Sequence, residues 1–432
     1  MKPQILNKIL SFNRAKGILI ILFFIFYHHG VSKKSKLDLD SLKSETFKVT
    51  DDSSRINIFL SIAKIEAKSN LDSATIYIKR AFEIAKKTND VKKQIELQYT
   101  LSSFFSKHKK YIEQYHSIER CLELAENYND SLYIVKCYGV KGRLFLDVGL
   151  NDKAVEYNQI AIEKCREFGL RHEEGHNLYI SGWYLFNMRR YEEALKNFKL
   201  SSKIFEELKD TNRFHDINGW LANTYNGLEQ YDKAINYRYM HIDYKKKIKK
   251  TYGVGEGYRY LADIYAKRNN NNDLDSAITY YKLAQTYYLE ANHNNRYQLM
   301  LVLLANTYYR NNEFNKAKLA MNELFDKENN FNDFYSIYLG NQIGSKVYKK
   351  TGDLLKAINC FENYIKTNDS INKSQEAQIV LQNTMASDLQ KEHQKLIFEQ
   401  EKRDAKAQAK VKEQKLVSYA MGIGLTALLI FL

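Results

Sequence analysis

The chain has 432 residues, of which 44% are hydrophobic and 27% charged, a balance that allows a packed core and excludes a chain disordered throughout. One proline stands in the whole sequence, which favours long, uninterrupted helices. The formal net charge is +15, but residues 1–36 carry seven basic residues and no acid, and residues 402–415 carry six against two acids. Basic residues beside apolar segments are typical of membrane-flanking sequences, so we expect no nucleic acid to bind this chain.

Residues 1–32 are predicted to be a secretory signal peptide or an N-terminal anchor. A basic lead precedes eleven apolar residues, from Gly17 to Tyr27, and as a helix this run spans only about 16 Å, half of a bilayer core. Gly30, Val31 and Ser32 offer small residues for cleavage. An uncleaved anchor is the alternative, and both interpretations export the body of the chain.

Between residues 50 and 370 a motif recurs every 40 residues, with one step of 43 at an insertion in residues 269–272. An aromatic residue, Leu or Asn stands three positions before a residue that is small in all but one copy. These positions are Ala74, Gln114, Ala154, Ala194, Ala234, Ala277, Ala317 and Ala357. A second small residue usually comes twelve positions earlier, as in Ser102, Gly142, Gly182, Ala222, Ala305 and Ser345. Antiparallel helices that cross closely need a small side chain on each, so the pattern predicts eight helical hairpins.

This pattern resembles the tetratricopeptide repeat, in which small residues occupy positions 8 and 20. The resemblance covers about residues 55–370 and implies an all-α solenoid, a right-handed superhelix of stacked hairpins. The period of 40 exceeds the usual 34, so each helix is expected to be about a turn longer, and polar stops such as Asn89-Asp90 and Asn129-Asp130 replace the terminal proline. HEAT-like stacking is the structural alternative, and the spacing of the small residues speaks against it.

Beyond residue 370 the period is lost. Residues 371–415 are polar and helix-prone, with Met385, Leu389 and Leu396 at spacings of 4 and 7, which predicts a charged helix that either pairs in a weak homodimeric coiled coil or serves as a solvated spacer. Residues 416–432 carry no charge and are predicted to form a transmembrane helix, at the lower limit of length. That helix is either a tail anchor or part of a longer protein.

In this order the segments resemble the sensory region of bacterial membrane-anchored tetratricopeptide histidine kinases and LuxR-type regulators. The resemblance implies a non-catalytic module for signal transduction, which binds a protein or peptide and stands on the periplasmic side of the inner membrane. An envelope assembly scaffold without signalling is the alternative. We expect no cofactor and no enzymatic activity.

One motif points to a different function, a zinc-dependent hydrolase. His172-Glu173-Glu174-Gly175-His176 matches H-E-x-x-H, in which two histidines one helical turn apart bind zinc. In the repeat register His172 is expected in the turn between hairpins and His176 at the start of the next helix. The two imidazoles would then not share a face, and no third ligand has the family spacing. We therefore expect no metal site, and we expect the four cysteines to be buried core thiols.

The first helix of each hairpin is expected to line a concave groove that binds the ligand. Projection by period gives Arg143, Tyr179, Trp183, Asn223, Asn226, Arg259, Asp263, Asn306 and Tyr309, with Lys136, His176 and Phe186 beside them. Asn223, Asp263 and Asn306 occupy one equivalent position in successive repeats. In peptide-binding tetratricopeptide proteins an Asn there holds the ligand backbone, because its amide offers both a donor and an acceptor. A merely solvated polar surface is the alternative.

Overall fold

The structure is a computed structural model that describes residues 39–46, 48–270, 272–326 and 333–431, with side chains described as far as residue 418. The predicted signal peptide or anchor at residues 1–32 lies outside the described residues. All regular secondary structure within these ranges is α-helical. The helices are α1 (residues 39–45), α2 (Asp52–Glu66), α3 (Leu71–Lys87), α4 (Val91–Lys107), α5 (Tyr111–Tyr128), α6 (Ser131–Asp147), α7 (Asn151–Glu167), α8 (Arg171–Asn187), α9 (Tyr191–Glu207), α10 (Thr211–Gly227), α11 (Tyr231–Lys247), α12 (Thr251–Arg268), α13 (Asp273–Glu290), α14 (Asn294–Arg310), α15 (Phe314–Leu324), α16 (Phe334–Lys350) and α17 (Leu354–Phe431).

From α2 to α17 the helices follow one another as eight hairpins, in the register that the sequence predicts. Most are 17 residues long, as in α8 and α11. The predicted polar stop Asn89-Asp90 ends α3. Asn89 has a left-handed φ of 54°, the amide of Asp90 donates to the carbonyl of Ala85 at 2.9 Å, and the Asp90 carboxylate caps α4 by accepting from the amide of Lys93 at 2.9 Å.

The predicted small residues lie at the contacts between paired helices. The residues at position 20 are all 8% exposed or less: Ala74, Gln114, Ala154, Ala194, Ala234, Ala277, Ala317 and Ala357. A Cβ added to Gly142 would lie 3.1 Å from the carbonyl oxygen of Ala154, and one added to Gly182 would lie 2.8 Å from the Phe198 ring. A larger residue would therefore press against the partner backbone at Gly142 and against a partner ring at Gly182. The last hairpin differs, because Gly344 rather than Ser345 is buried there.

The chain divides into two compact units, Met1–Cys137 and Tyr138–Leu432. In the first unit, α2 to α4 enclose a core that includes Ile56, Leu60 and Phe82. The second unit contains α7 to α17, and its largest core runs from Tyr225 to Cys360. All four cysteines are buried, as predicted.

The last helix, α17, is continuous for 78 residues. Its first turns form the second helix of the last hairpin, and the helix then continues through residues 370 and 415, where the sequence predicts segment boundaries, without a break. Within the described ranges, no helix combines the length and the apolar character needed to cross a membrane. Most side chains of the predicted transmembrane segment, residues 416–432, lie outside the described residues.

Enlarging one buried alanine tests the close contact between paired helices. We expect Ala234→Leu to lower the free energy of unfolding by about 1–3 kcal/mol, because the added carbons overpack the contact between α10 and α11. Urea unfolding followed by circular dichroism measures this change. Ala377→Leu, at an exposed position on α17, is the matched control and should leave the midpoint unchanged. Equal midpoints for the two variants would contradict the assigned contact.

Candidate functional site

Half-buried aromatic side chains gather on the first helices of two neighbouring hairpins. Tyr179, Trp183 and Phe186 follow one another on α8 at a spacing of four and three residues, which places them on one face. Trp220, on α10, completes the group: its ring lies 5.5 Å from that of Phe186 and stacks on Phe198 at 6.0 Å. We call Tyr179, Trp183, Phe186 and Trp220 the aromatic platform. It contains both tryptophans of the chain.

A cation extends the platform on the α6 side. The Arg143 guanidinium lies 5.4 Å from the centre of the Trp183 ring, within the range of cation–π attraction, and donates to Asp147 at 2.9 Å. On the other side the His176 ring stacks on Tyr179, and its Nδ1 lies 2.9 Å from Nη1 of Arg213. Burial raises the pKa of Tyr179, so its hydroxyl stays neutral.

Beside the platform, Arg238 is buried among polar groups. It is 2% exposed, and its Nη2 donates to Oδ1 of Asn223 at 2.5 Å and to the carbonyl of Gly219 at 3.1 Å. Burial lowers the pKa of Arg238 to about 10. These contacts give the guanidinium neutral acceptors in place of a directly bonded carboxylate.

A second guanidinium, that of Arg259, is paired with two carboxylates. Arg259 donates to Asp263 at 3.0 Å and to Glu256 at 3.3 Å, and its guanidinium lies 3.7 Å from the centre of the Tyr260 ring. Burial lowers the pKa of Arg259, but the two carboxylates outweigh it and raise that pKa above its usual value. Burial also raises the pKa of Asp263, whose Oδ1 accepts a hydrogen bond from the Tyr281 hydroxyl at 2.6 Å.

The nine predicted groove residues therefore fall into distinct environments. Arg143, Tyr179 and Trp183 belong to the platform or border it. Asn223, Arg259 and Asp263 form bonds within the chain. The remaining three are half-buried on α10 and α14: Asn226, Asn306 and Tyr309. The Tyr309 ring lies 5.5 Å from the ring of Phe314, edge to face. Two members of the predicted ladder, Asn223 and Asp263, thus already have partners, and ligand binding by the ladder stays a prediction.

Sequence reasoning did not find Trp220 and Arg238. Arg238 lies four residues after Ala234, where the neighbouring hairpins have Phe198 and Tyr281. In most other hairpins the residue at this position is apolar, so an arginine there is the signal in the sequence that could have identified Arg238. Trp220 lies two residues before the small residue Ala222. Because the chain has only two tryptophans, a tryptophan on a first helix is the signal that could have identified it.

The structure corrects the prediction for H-E-x-x-H. His172 lies inside α8, not in the turn, because that helix begins at Arg171. The two histidines are thus one turn apart on one helix. Nevertheless, the described part of the chain holds no group of three His, Cys, Asp or Glu side chains placed to hold a metal ion. The His172 ring instead lies between two carboxylates, with Nδ1 3.6 Å from Oε1 of Glu173 and Nε2 3.8 Å from Oδ2 of Asp210.

The long helix α17 returns to the beginning of the second unit. Leu389 is fully buried, and the His393 ring packs edge-on against Phe145 of α6 and Tyr157 of α7, with Nε2 of His393 3.2 Å from the Tyr157 hydroxyl. Met385 and Leu396 are half-buried. The apolar residues predicted to form an intermolecular coiled coil are therefore covered wholly or in part by their own chain.

Comparison with known proteins identifies the fold. No model of a known protein family matches this sequence, and no curated protein is similar to it. Among solved structures, a signal transduction ATPase with numerous domains from Pyrococcus horikoshii, with a tetratricopeptide repeat sensor, superposes with a TM-score of 0.52 at 17% identity. This chain has a tetratricopeptide-like repeat fold. The match covers 63% of this chain and 41% of the archaeal protein.

Two further structures are more distant. The apo form of RapI matches with a TM-score of 0.49 and 14% identity, over 65% of this chain and 99% of its own. Aspartyl phosphate phosphatase F from Bacillus subtilis matches with a TM-score of 0.45 and 17% identity, over 62% of this chain and 70% of its own.

The packing of α10 and α11 predicts a dependence of stability on pH. Burial and the nearby Arg238 lower the pKa of His241 to about 4, although its Nδ1 lies 3.1 Å from the carbonyl of His215. Lys245 lowers this pKa further and Asp216 opposes it. Because the unfolded chain has a histidine pKa of about 6.5, protonation favours unfolding, and stability is lost as the pH falls from about 6.5 towards 4.

We therefore expect the urea midpoint of the wild type to fall between pH 7 and pH 5, and His241→Gln to reduce that fall. Part of the dependence should remain, since burial also lowers the pKa values of His176 and His215. His172→Gln, at an exposed position, controls for the loss of any histidine. A pH dependence identical in wild type and His241→Gln would show that His241 titrates normally.

Proposed function

We propose that this chain is a non-catalytic module that binds an extended segment of a protein or peptide across the aromatic platform. The observation that carries the proposal is the clustering of both tryptophans, with Tyr179 and Phe186, on the first helices α8 and α10. Aromatic side chains supply much of the energy of protein interfaces, because they bury a large area with few rotatable bonds.

The surroundings of the platform favour a polypeptide ligand. Arg143, at the edge of Trp183, offers a cation that suits an acidic or aromatic side chain. Asn306 offers a half-buried amide, with a donor and an acceptor for a peptide bond. This combination of flat apolar area and an amide group matches an extended chain better than a small, compact molecule.

We further propose that the module is the sensor part of a signalling protein. The support comes from α6, which carries Arg143 at the platform and Phe145 at the contact with His393 of α17. A ligand that displaces α6 would therefore disturb the contact that holds α17, whose residues 397–418 are exposed.

Membrane attachment is the last part of the proposal. Its support is the sequence: uncharged residues 416–432 follow a basic stretch, and residues 1–32 have the features of an export signal. In this arrangement the repeats stand outside the cytoplasm and α17 connects them to the membrane.

Removing one tryptophan tests the platform. Peptides enriched from a random phage-display library on the full-length chain are synthesised and titrated, and binding is followed by intrinsic tryptophan fluorescence. We expect Trp183→Ala to weaken binding by about 2 kcal/mol, roughly thirtyfold, because a central aromatic anchor is lost. Isothermal calorimetry gives the same constant without depending on the deleted fluorophore.

The control is Tyr128→Ala, which removes an aromatic side chain that is 51% exposed and lies on α5, outside the platform. Asn306→Ala tests the ladder more cleanly than Asn223→Ala, since Asn223 also holds Arg238. An enriched peptide that binds wild type and Trp183→Ala equally would remove the platform from the proposal.

Membrane attachment is tested separately by fractionation of a Gram-negative host that expresses the full-length chain. We expect the protein to stay in the membrane pellet after extraction at high pH, and to be digested by protease added to spheroplasts. Deletion of residues 416–432 should release it if the N-terminal segment is cleaved. Recovery of the intact chain in the cytoplasmic fraction would refute both export and attachment.

A further inference from the structure

The last hairpin leaves a row of apolar side chains uncovered. Leu354, Ile358, Phe361 and Ile365 follow one another on α17 at spacings of four, three and four residues, which places them on one face, and Leu355 borders them. Their exposed fractions lie between 44% and 72%. We call these five residues the outer stripe.

Repeat symmetry shows which face this is. Phe361 lies four residues after Ala357, and it is 54% exposed. The equivalent residue in other hairpins is at most 3% exposed: Ile78, Ile118, Asn158, Phe198, Arg238, Tyr281 and Met321. Each of those residues belongs to a hairpin with another hairpin after it in the array, whereas α17 runs on as a single helix. The outer stripe is therefore a stacking face that carries side chains for a neighbour.

The composition of this face is unusual for the end of an array. Terminal repeats generally have a polar outer face, because nothing stacks on them. Here five neighbouring side chains are Leu, Ile or Phe, and together they expose an area on the order of 500 Å², comparable with the largest apolar patch of a typical monomer. A patch of this size is often functional.

We infer that the outer stripe packs against the outer stripe of a second copy of this chain. Spacings of four and three residues are those of the seam between two paired helices. A two-fold contact of the stripe with itself would bury about 1,000 Å² in total, which reaches the threshold for a specific interface. A second copy also brings the same uncharged apolar row at the same spacing, so neither stripe would face a charge.

This contact differs from the coiled coil predicted for residues 371–415. In that segment Leu389 and His393 are buried against their own chain, so they are not available to a partner. The outer stripe precedes the segment and points to a dimer held by the last hairpins. The inference does not depend on a ligand at the aromatic platform.

The experiment measures the mass of the full-length chain in a mild detergent by light scattering during size-exclusion chromatography. We expect wild type to have twice the mass of one chain, and Phe361→Glu to weaken dimerisation by roughly a hundredfold or more, because each copy would bury a carboxylate in an apolar seam. Leu319→Glu, at a 67% exposed position on α15, is the matched control and should remain dimeric. Melting temperatures establish that both variants are folded.

Cross-linking locates the contact independently. The native cysteines are buried, so Ile358→Cys introduces an accessible thiol in the middle of the stripe, and a short bismaleimide should join two copies. Leu319→Cys should not be joined. A monomeric wild type, a dimer that Phe361→Glu leaves intact, or a stripe covered by a different co-purifying protein would each overturn the inference.

Discussion

The close crossing of paired helices through alanine- and glycine-sized residues is the constraint on which the rest of the structure depends. Where Gly142 meets the backbone of α7, and Gly182 meets the ring of Phe198, the two helices of a hairpin lie too near for any larger side chain. That proximity fixes the register of each hairpin. A fixed register in turn assigns every other position of the repeat to a contact within the hairpin, to a neighbouring hairpin or to solvent.

The candidate site arises where individual residues depart from this assignment. Four residues after Ala234, an apolar side chain could be buried with little loss of free energy. The chain instead has Arg238 there, in contact with Asn223, Gly219 and the Tyr260 ring. A buried cation with neutral acceptors carries a desolvation penalty that packing alone does not require. The same region has half-buried aromatic residues on α8 and α10. These departures from the repeat pattern lie near the face that we propose to bind a ligand, and residues that break a packing rule are often selected by function.

Local pattern predicts the hairpins well, because the small residues of most hairpins are twelve positions apart and their contact is decided within one repeat. The local pattern does not predict contacts between residues far apart in the sequence, or positions where two residues compete for one contact. The bond between Tyr157 and His393 joins residues 236 positions apart, and no periodicity connects them. The buried Gly344 displaces Ser345 because it makes room for Cys360 and Phe325. The repeat register puts His172 in a turn because it starts the next helix near His176, whereas α8 begins at Arg171.

Stacked hairpins interact chiefly with their neighbours, so a change at one hairpin fades along an array unless another element bridges it. Helix α17 is such an element within the second unit. It begins in the last hairpin and reaches α6 and α7 through His393, while the residues between, 372–381, are exposed. A change in the curvature of the intervening hairpins, or a displacement of α6, would therefore act on α17 both at its first turns and at His393. A helix held at these two points converts a small change of curvature into the loss of one contact, which is the way in which the proposed sensor would transmit ligand binding.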